Sequence, residues 1–353
     1  MSQMLAEIRQ QPDALERTLA EELGAIEELR GRLARNKPRL IVLAARGTSD
    51  NAAQFGRYLL EIATGIPVSL AAPSVFTLYN ARVDLKDALV VALSQSGEST
   101  DTNMVLERAR ETGALTIGIT NEPDSSMTRI AEHVFLVRAG REKSVAATKT
   151  YTCQLLMAYL LAYALGAPIR LDDLRRLPDW TAAALSLHGQ IEEMVERYRF
   201  MDHAVVVGRG LNYSNAFEWA LKLMETCYVV AERFSSADFL HGPIAMVERA
   251  FPVFLFTPSG VTWPGLLEML AKLDALRADT LIVTDESNTE AIQRPGRSLV
   301  IPGHLALASE LPEELLTPIP YIVPAQLLAA CLADKKGLNP DQPRTLSKVT
   351  QTM

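Results

Sequence analysis

The stretch DALVVALSQSGESTDT, residues 87 to 102, runs from an apolar segment (Leu89 to Leu93) straight into a cluster of hydroxyls around one glycine. A continuous apolar run suits a strand buried in a parallel sheet, and such sheets bind ligands beyond the carboxyl ends of their strands. Ser94, Gln95, Ser96, Gly97, Glu98, Ser99 and Thr100 fall at that end, just ahead of a helical pattern. A helix N-terminus presents unpaired backbone N–H groups at its positive end. Hydroxyls add donors, and a glycine lets the backbone come close to a ligand. The chemistry on offer is the grip of a phosphate. An ordinary N-cap would need one hydroxyl, not four. RGTSDNAA (46–53) repeats the arrangement after another apolar run, with Gly47, Thr48 and Ser49; taken alone, it reads as a simple Thr/Ser/Asp cap. Neither stretch is a P-loop, because no Gly-Lys-Ser/Thr occurs, and GRGLNYS keeps only two glycines of a dinucleotide fingerprint.

A second set of residues could move protons. In YSNAFEWALKLMETCYVVAE (213–232), apolar around most of a helical circumference, Glu218, Lys222 and Glu225 stand at i, i+4 and i+7 and form one narrow charged stripe. On a solvated face these are plain Glu–Lys pairs worth about 0.2–0.5 kcal/mol each. Flanked by Trp219 and Leu221, they are candidates for partial burial, which shifts pKa values toward those suited to proton transfer. His241 lies in FLHGPIAM, where Gly242-Pro243 fixes a turn behind it. A lone histidine is commonly structural; beside a phosphate grip and a carboxylate stripe, it is a candidate acid/base.

The elements that must position these groups follow from the hydrophobic pattern. RLIVLAA (39–45), PVSLAA (67–72), DALVVAL (87–93), LTIGIT (115–120) and HVFLV (133–137) read as strands, with helices at 50–64 and 102–112 between them. Residues 4–34 read as one or two amphipathic helices broken near Pro12, 146–166 as a long buried helix and 181–199 as another. GAPIRLDDLRRLPDW (166–180) is the best linker, and HAVVVGRG (203–210) opens a second half. That half repeats the first: VLAARG and VVVGRG end at Gly47 and Gly210, ALSQSG and LFTPSG at Gly97 and Gly260, both pairs 163 positions apart. Two matches at one offset indicate an internal duplication. The hydroxyl cluster is dense only in the first copy.

The sequence has 353 residues, 48% hydrophobic and 22% charged, with a formal charge of −7. That balance argues against a nucleic-acid surface or an anionic membrane as partner, and leaves an anionic small molecule open. Cys153, Cys227 and Cys331 are widely spaced, which fits a reducing compartment and no zinc or disulfide framework. The N-terminus lacks the apolar core of a signal peptide, and QLLMAYLLAYALGA (154–167) is too short to span a bilayer. A cytoplasmic location is expected.

RGTSDNA, SQSGESTDT, EKSVAATKTYTCQ, the run from GRG through EWALKLMETCYVVAERFSSADFLHGPIAM, and DQPRTLSK occur in this order. They resemble the double sugar isomerase (SIS) domain that forms the isomerase half of glucosamine-6-phosphate synthase, from about residue 36 onward. The resemblance implies an α/β fold of two tandem SIS-type domains, each a parallel sheet flanked by helices in three layers. The expected partition is 1–35 helical, 36–170 and 201–335 as the two domains with 171–200 between, and 336–353 as a tail or lid. It also implies roles. Thr48, Ser49, Ser94, Gln95, Ser96 and Ser99 would hold the sugar phosphate, and Gly47, Val145 and Ala147 would contact the sugar. Glu225 would carry a proton between C1 and C2, supported by Lys222 and Glu218. His241 would open the ring, reaching in from a neighbouring subunit of a homodimer, and Lys348 would sit near the sugar carbonyl. No metal or organic cofactor is implied.

The departures matter. Ser99 stands where the synthase usually has threonine, Arg46 where it has cysteine, and Ala147 where it has a serine. The chain opens with about 35 residues of helical pattern in place of a glutamine-hydrolysing domain and has no N-terminal cysteine nucleophile, so it is not expected to draw ammonia from glutamine. RGTSDNAA and VAATKTY look more like the stand-alone deaminases of the superfamily. The expected reaction is glucosamine 6-phosphate to fructose 6-phosphate plus ammonia. The alternatives are a synthase-like isomerase without its glutaminase, a fructosamine-6-phosphate deglycase, or a non-catalytic sugar-phosphate sensor, which would not need Glu225, His241 and Lys348.

Overall fold

The computed structural model describes residues 2–303, 311–346 and 348; residues 347 and 349–353 of the expected tail lie outside them. It contains two five-stranded, wholly parallel sheets. The first comprises β1 (Ile41–Ala44), β2 (Val68–Leu70), β3 (Leu89–Ser94), β4 (Leu115–Thr120) and β5 (His133–Leu136), in the order β2-β1-β3-β4-β5. The second comprises β6 (His203–Gly208), β7 (Val230–Ser235), β8 (Pro252–Phe256), β9 (Asp279–Asp285) and β10 (Arg297–Ile301), in the order β7-β6-β8-β9-β10. The two orders are the same, so the 163-residue repeat in sequence is a repeat in topology.

The central strands explain the apolar runs. Every residue of Leu89–Ser94 and of Pro252–Phe256 is buried, because helices cover both faces and no alternation survives. On one face of the first sheet, Val42, Ala44, Val90 and Ala92 pack with Val105, Leu106 and Met127. The matching cluster of the second joins Val205, Val207, Val253 and Leu255 to Leu266, Met269 and Leu273 of the helix Trp263–Ala275. Two further helices pair within each half: Thr48–Thr64 with Lys149–Ala164, and Tyr213–Cys227 with Pro318–Lys335. The last of these is buried from Pro318 through Ala333, and its one fully enclosed amide, Gln326, accepts a hydrogen bond from Gln11 Nε2 at 2.9 Å.

The described residues form two compact units, one drawn from 1–12, 143–148 and 176–345 and the other from 13–142, 149–175 and 346–353. The N-terminal helices, Gln3–Arg9 and Gln11–Leu33, break at Gln10 and contribute to both. In the first unit, Asp341 accepts the N–H groups of Gln3 and Met4 at 2.8 and 2.7 Å. In the second, Thr18 donates to the Val137 carbonyl at 2.6 Å, and Arg138 binds Glu22 at 2.6 Å.

Two expectations need correction. The helical pattern over 213–232 stops at Cys227: Tyr228 turns left-handed (φ 54°), and the β-branched residues after it enter strand β7. The pattern over 181–199 is three short pieces, Leu177–Leu185, His188–Met194 and a 3-10 turn Val195–Tyr198. Among the described residues no helix is long and apolar enough to cross a membrane.

In a sheet of this order, the chain leaves β1 toward one edge and β3 toward the other, so a crevice opens beyond their carboxyl ends. Residues 45–49 and 95–99 lie there in the first sheet, and 209–212 and 257–262 in the second. Gly208 sets the second crevice: a Cβ there would fall 2.2 Å from the Asn212 carbonyl oxygen and 2.9 Å from Tyr213 Cα, both backbone atoms. Gly208→Ala is expected to cost at least about 1–3 kcal/mol, read as a lower urea midpoint at unchanged m-value.

Candidate functional site

In the unit that holds the first sheet, the loop after β3 is built around Gly97. Its φ is +65°, and a Cβ there would lie 2.1 Å from Ser125 Oγ, so only glycine fits. The loop's acceptors face inward. The Gly97 carbonyl takes N–H groups from Asn103 Nδ2 and Met127, both at 3.0 Å, and the Gln95 carbonyl takes Asn121 N–H at 3.1 Å. Ser94 Oγ accepts the Gly97 N–H at 3.1 Å, and Ser96 Oγ accepts the Glu98 N–H at 3.3 Å. Ser99 is the N-cap residue of the helix Thr100–Glu111, yet its side chain makes no capping bond. The hydroxyl cluster is therefore not explained as a cap. Glu98 faces outward and is held by Ser126 N–H and Oγ at 2.8 and 2.7 Å, which lowers its pKa from the ordinary value.

The loop after β1 stands at the other side of the same switch point. Gly47, at φ +56°, precedes the helix Thr48–Thr64 with nothing near its Cβ position, and its carbonyl accepts the Asp50 and Asn51 N–H groups. Ser49 is buried and accepts from Gln154 Nε2 at 2.9 Å. Arg46 spans from one loop to the other helix: Nε and Nη2 donate to Asp101 Oδ2 at 2.9 and 2.7 Å. Burial raises the Asp50 pKa, with Arg46 opposing. In the same unit Lys348 Nζ meets Glu142 Oε2 at 3.0 Å, and Glu142 also accepts from Thr150 N–H and Oγ1.

The other unit contains the charged stripe. It is not a solvated face: the side chains of Glu218 and Lys222 are wholly buried, and that of Glu225 is 23% exposed. Lys222 Nζ lies 2.6 Å from Glu225 Oε2 and 3.4 Å from Glu218 Oε1. Burial pulls the Lys222 pKa down, but the two carboxylates outweigh it and hold the ammonium above its ordinary value. Trp219, one turn away, stacks on Phe254 of β8 at 4.9 Å and fixes the helix against its sheet. The result is one carboxylate partly open to solvent, aimed by a buried cation. His241 sits apart from it. It is exposed, caps the helix Ser236–Leu240 through its own N–H, and makes no side-chain hydrogen bond among the described residues. Val145 and Ala147 also belong to this unit, on a segment fixed where Glu7 accepts the Lys143 and Ser144 N–H groups and Val145 N–H meets the Asp341 carbonyl.

The structure thus brings Ser94, Gln95, Ser96 and Ser99 into one loop, with Gly47, Thr48 and Ser49 at the neighbouring strand end, and Glu218, Lys222 and Glu225 into one triad. It does not join His241 to the triad. Asp101, Glu142 and Gln154 escape sequence reasoning, although all three lie inside the quoted motifs; the signal is a polar side chain set in or beside a buried segment. Among the described residues no cluster of three His, Cys, Asp or Glu could hold a metal ion.

Comparison with known proteins fits this architecture. The sequence profile described as "SIS domain" matches residues 35–164 and 199–329. The glutamine–fructose-6-phosphate aminotransferase (isomerizing) of Methanothermobacter thermautotrophicus is 36% identical over 348 residues, covering 98% of this chain and 56% of that protein. Its counterpart in Pseudomonas putida is 35% identical over 98% of this chain and 58% of its own length. The chain thus spans somewhat more than half the length of the curated relatives it matches. Among solved structures, the C-terminal domain of glucosamine-fructose-6-phosphate aminotransferase from Francisella tularensis superposes with a TM-score of 0.86 at 28% identity, covering 97% of this chain and 98% of that one. Glucosamine-6-phosphate deaminase from Thermotoga maritima shares the fold at a TM-score of 0.79 and 21% identity, over 99% and 100% of the two chains. With two matched segments, each enclosing one five-stranded sheet and its switch-point loops, the chain belongs to the SIS domain family.

Proposed function

We propose that the protein is a sugar-phosphate isomerase that acts on amino sugars, converting glucosamine 6-phosphate and water to fructose 6-phosphate and ammonia. The observation that carries this reading is Glu225, a partly exposed carboxylate held at 2.6 Å by a wholly buried lysine. A base for a carbon acid needs a fixed position and an open face, and this geometry supplies both.

The phosphate is assigned to Ser94, Gln95, Ser96 and Ser99 with Thr48 and Ser49, and the sugar to Gly47, Val145 and Ala147. Binding the remote phosphate orients the reacting carbons. His241 passes a proton to the ring oxygen as the C1 hydroxyl loses its own, giving the open-chain aldehyde. Glu225 then removes the proton on C2 and leaves an enolamine. Return of the proton to C1 gives the imine at C2, and water converts it to the ketone with release of ammonia. Lys348 is assigned to the oxygen on C1, where negative charge develops. Lys222, kept protonated by its two carboxylates, positions Glu225, and Glu218 is the buried second partner that helps hold the ammonium. No step needs a metal or organic cofactor. The exposed His241 is suited to serving a second copy of the chain, so the active form is taken to be a homodimer. The tandem-domain partition and a cytoplasmic location belong to the same reading.

A second reading, the synthetic direction from fructose 6-phosphate and supplied ammonia, is favoured by the relatives named as isomerizing aminotransferases. It uses the same groups in reverse. A sensor would not need the proton-transfer set at all.

Purified protein is expected to release ammonia from glucosamine 6-phosphate. Glu225→Gln should lower kcat by about 10²–10⁴-fold, and Ser96→Ala should raise KM roughly tenfold with a smaller change in kcat. Unaltered turnover in Glu225→Gln would sink the assignment of the base, and no turnover in either direction would favour the sensor.

Glu225→Ala and His241→Ala proteins, each inactive alone, are expected to recover about a quarter of the wild-type rate when their subunits are reassorted, as random pairing in a dimer with shared sites requires. No recovery would place both residues in the service of one chain.

Lys222→Met leaves Glu218 buried without its counter-charge, at an expected cost of about 3–5 kcal/mol. The Lys222 pKa is raised in the folded state. Its stabilisation is therefore complete below the unfolded value of about 10.4 and is lost as pH rises through the folded one. Urea midpoints of wild type and Lys222→Met should differ most near neutrality and converge in strong alkali. A gap independent of pH contradicts the buried ion pairs.

A further inference from the structure

The second repeat keeps a positive-φ glycine at both turns of the first, Gly210 (+56°) for Gly47 (+56°) and Gly260 (+117°) for Gly97 (+65°), and a side chain already occupies the crevice between them. Gly210 and the turn 257–262 lie beyond β6 and β8, as Gly47 and residues 94–99 lie beyond β1 and β3. Glu314, on the 3-10 turn Glu313–Leu316, places its carboxylate in that crevice and is only 3% exposed. A Cβ on Gly260 (φ +117°) would fall 2.2 Å from Glu314 Oε2, and one on Gly210 (φ +56°) 3.8 Å from Oε1. The N–H of Thr262, at the start of the 13-residue helix Trp263–Ala275, donates to Oε2 at 3.4 Å, and the Val261 N–H points to the same carboxylate. Burial raises the Glu314 pKa, and these amides oppose the rise.

The donor set of the first loop is only partly kept here: Thr257 and Thr262 retain the hydroxyls of Ser94 and Ser99, but Thr257 Oγ1 is turned to the Val283 carbonyl at 3.2 Å. Pro258 stands at the position of Gln95 and has no N–H; Leu211 stands at that of Thr48. Ser259, the counterpart of Ser96, is engaged with Ser287 Oγ at 2.8 Å. What remains is an anion-shaped space lined by glycine and helix-terminal amides, which would be costly to bury unsatisfied.

We propose that Glu314 is the built-in anionic ligand of the second repeat: it fills a cradle that would otherwise take a phosphate, and so confines free phosphate to the first repeat. This rests on the phosphate reading of the first loop, so the test counts a difference between variant and wild type, which does not depend on how much the wild type binds.

The experiment uses the full chain, inorganic phosphate as probe, and sodium chloride at matched ionic strength as control. Glu314→Ala is expected to bind one phosphate more per chain than wild type in equilibrium dialysis. Phosphate should also raise its thermal midpoint by about 2–4 °C more than it raises that of wild type. Glu314→Gln, which keeps the space filled, should gain neither. If Glu314→Ala is recovered unfolded, its refolding yield in phosphate against chloride becomes the readout, and a phosphate-dependent yield is expected. Equal phosphate binding by Glu314→Ala and wild type, or equal response of the variant to the two salts, overturns the proposal. A wild type that binds no phosphate counts against the first-loop reading alone, and the difference of one still decides the role of Glu314.

Discussion

A strand in a parallel sheet is entered at one end and left at the other, and the chain must cross over to return. In both sheets of this protein that constraint has one consequence: the crossovers part company at a single pair of neighbouring strands, β1 and β3 in one, β6 and β8 in the other. Every loop that leaves those strands is bent over a buried sheet edge and runs at once into a helix. The hydroxyl loop, the Gly47 turn, the start of the Tyr213–Cys227 helix and the Glu314 crevice all owe their place to this arrangement. Polar residues gather there because the backbone N–H groups of the helix starts are left open and call for anions.

The charged triad, to which proton transfer is assigned here as a proposal, obeys a different rule. Lys222 and Glu218 are removed from water, which carries a large desolvation cost and is tolerable only because each charge faces its opposite. Glu225 is the member of the triad that keeps contact with solvent. Placing two charges inside and the third at the rim gives a carboxylate whose orientation is set by the core rather than by a surface loop.

Much of this was legible in the sequence because burial on both faces writes itself as unbroken apolar runs. Leu89–Leu93 followed by Ser94 announces both the strand and its end, and the 163-residue spacing of Gly47/Gly210 and Gly97/Gly260 announces the repeat. The stripe 218, 222, 225 is visible, and Trp219 and Leu221 beside it point to partial burial, but the complete burial of Glu218 and Lys222 is not legible, since the same spacing serves solvated helices equally well. Strand β7 was hidden for a related reason: Val229, Val230 and Ala231 continue the apolar pattern of the helix, and only the left-handed turn at Tyr228 separates the two. Partners far apart in sequence, such as Lys348 with Glu142 or Gln154 with Ser49, leave no periodic trace because the fold alone brings them together.

The clasp at Asp341 has a mechanical meaning. Its two carboxylate oxygens hold the first turn of the Gln3–Arg9 helix, while its backbone carbonyl holds Val145. A pull on that helix is thus delivered to the segment that carries Val145 and Ala147 by two side chains, Asp341 at its first turn and Glu7 within it, rather than dissipated in a loose terminus.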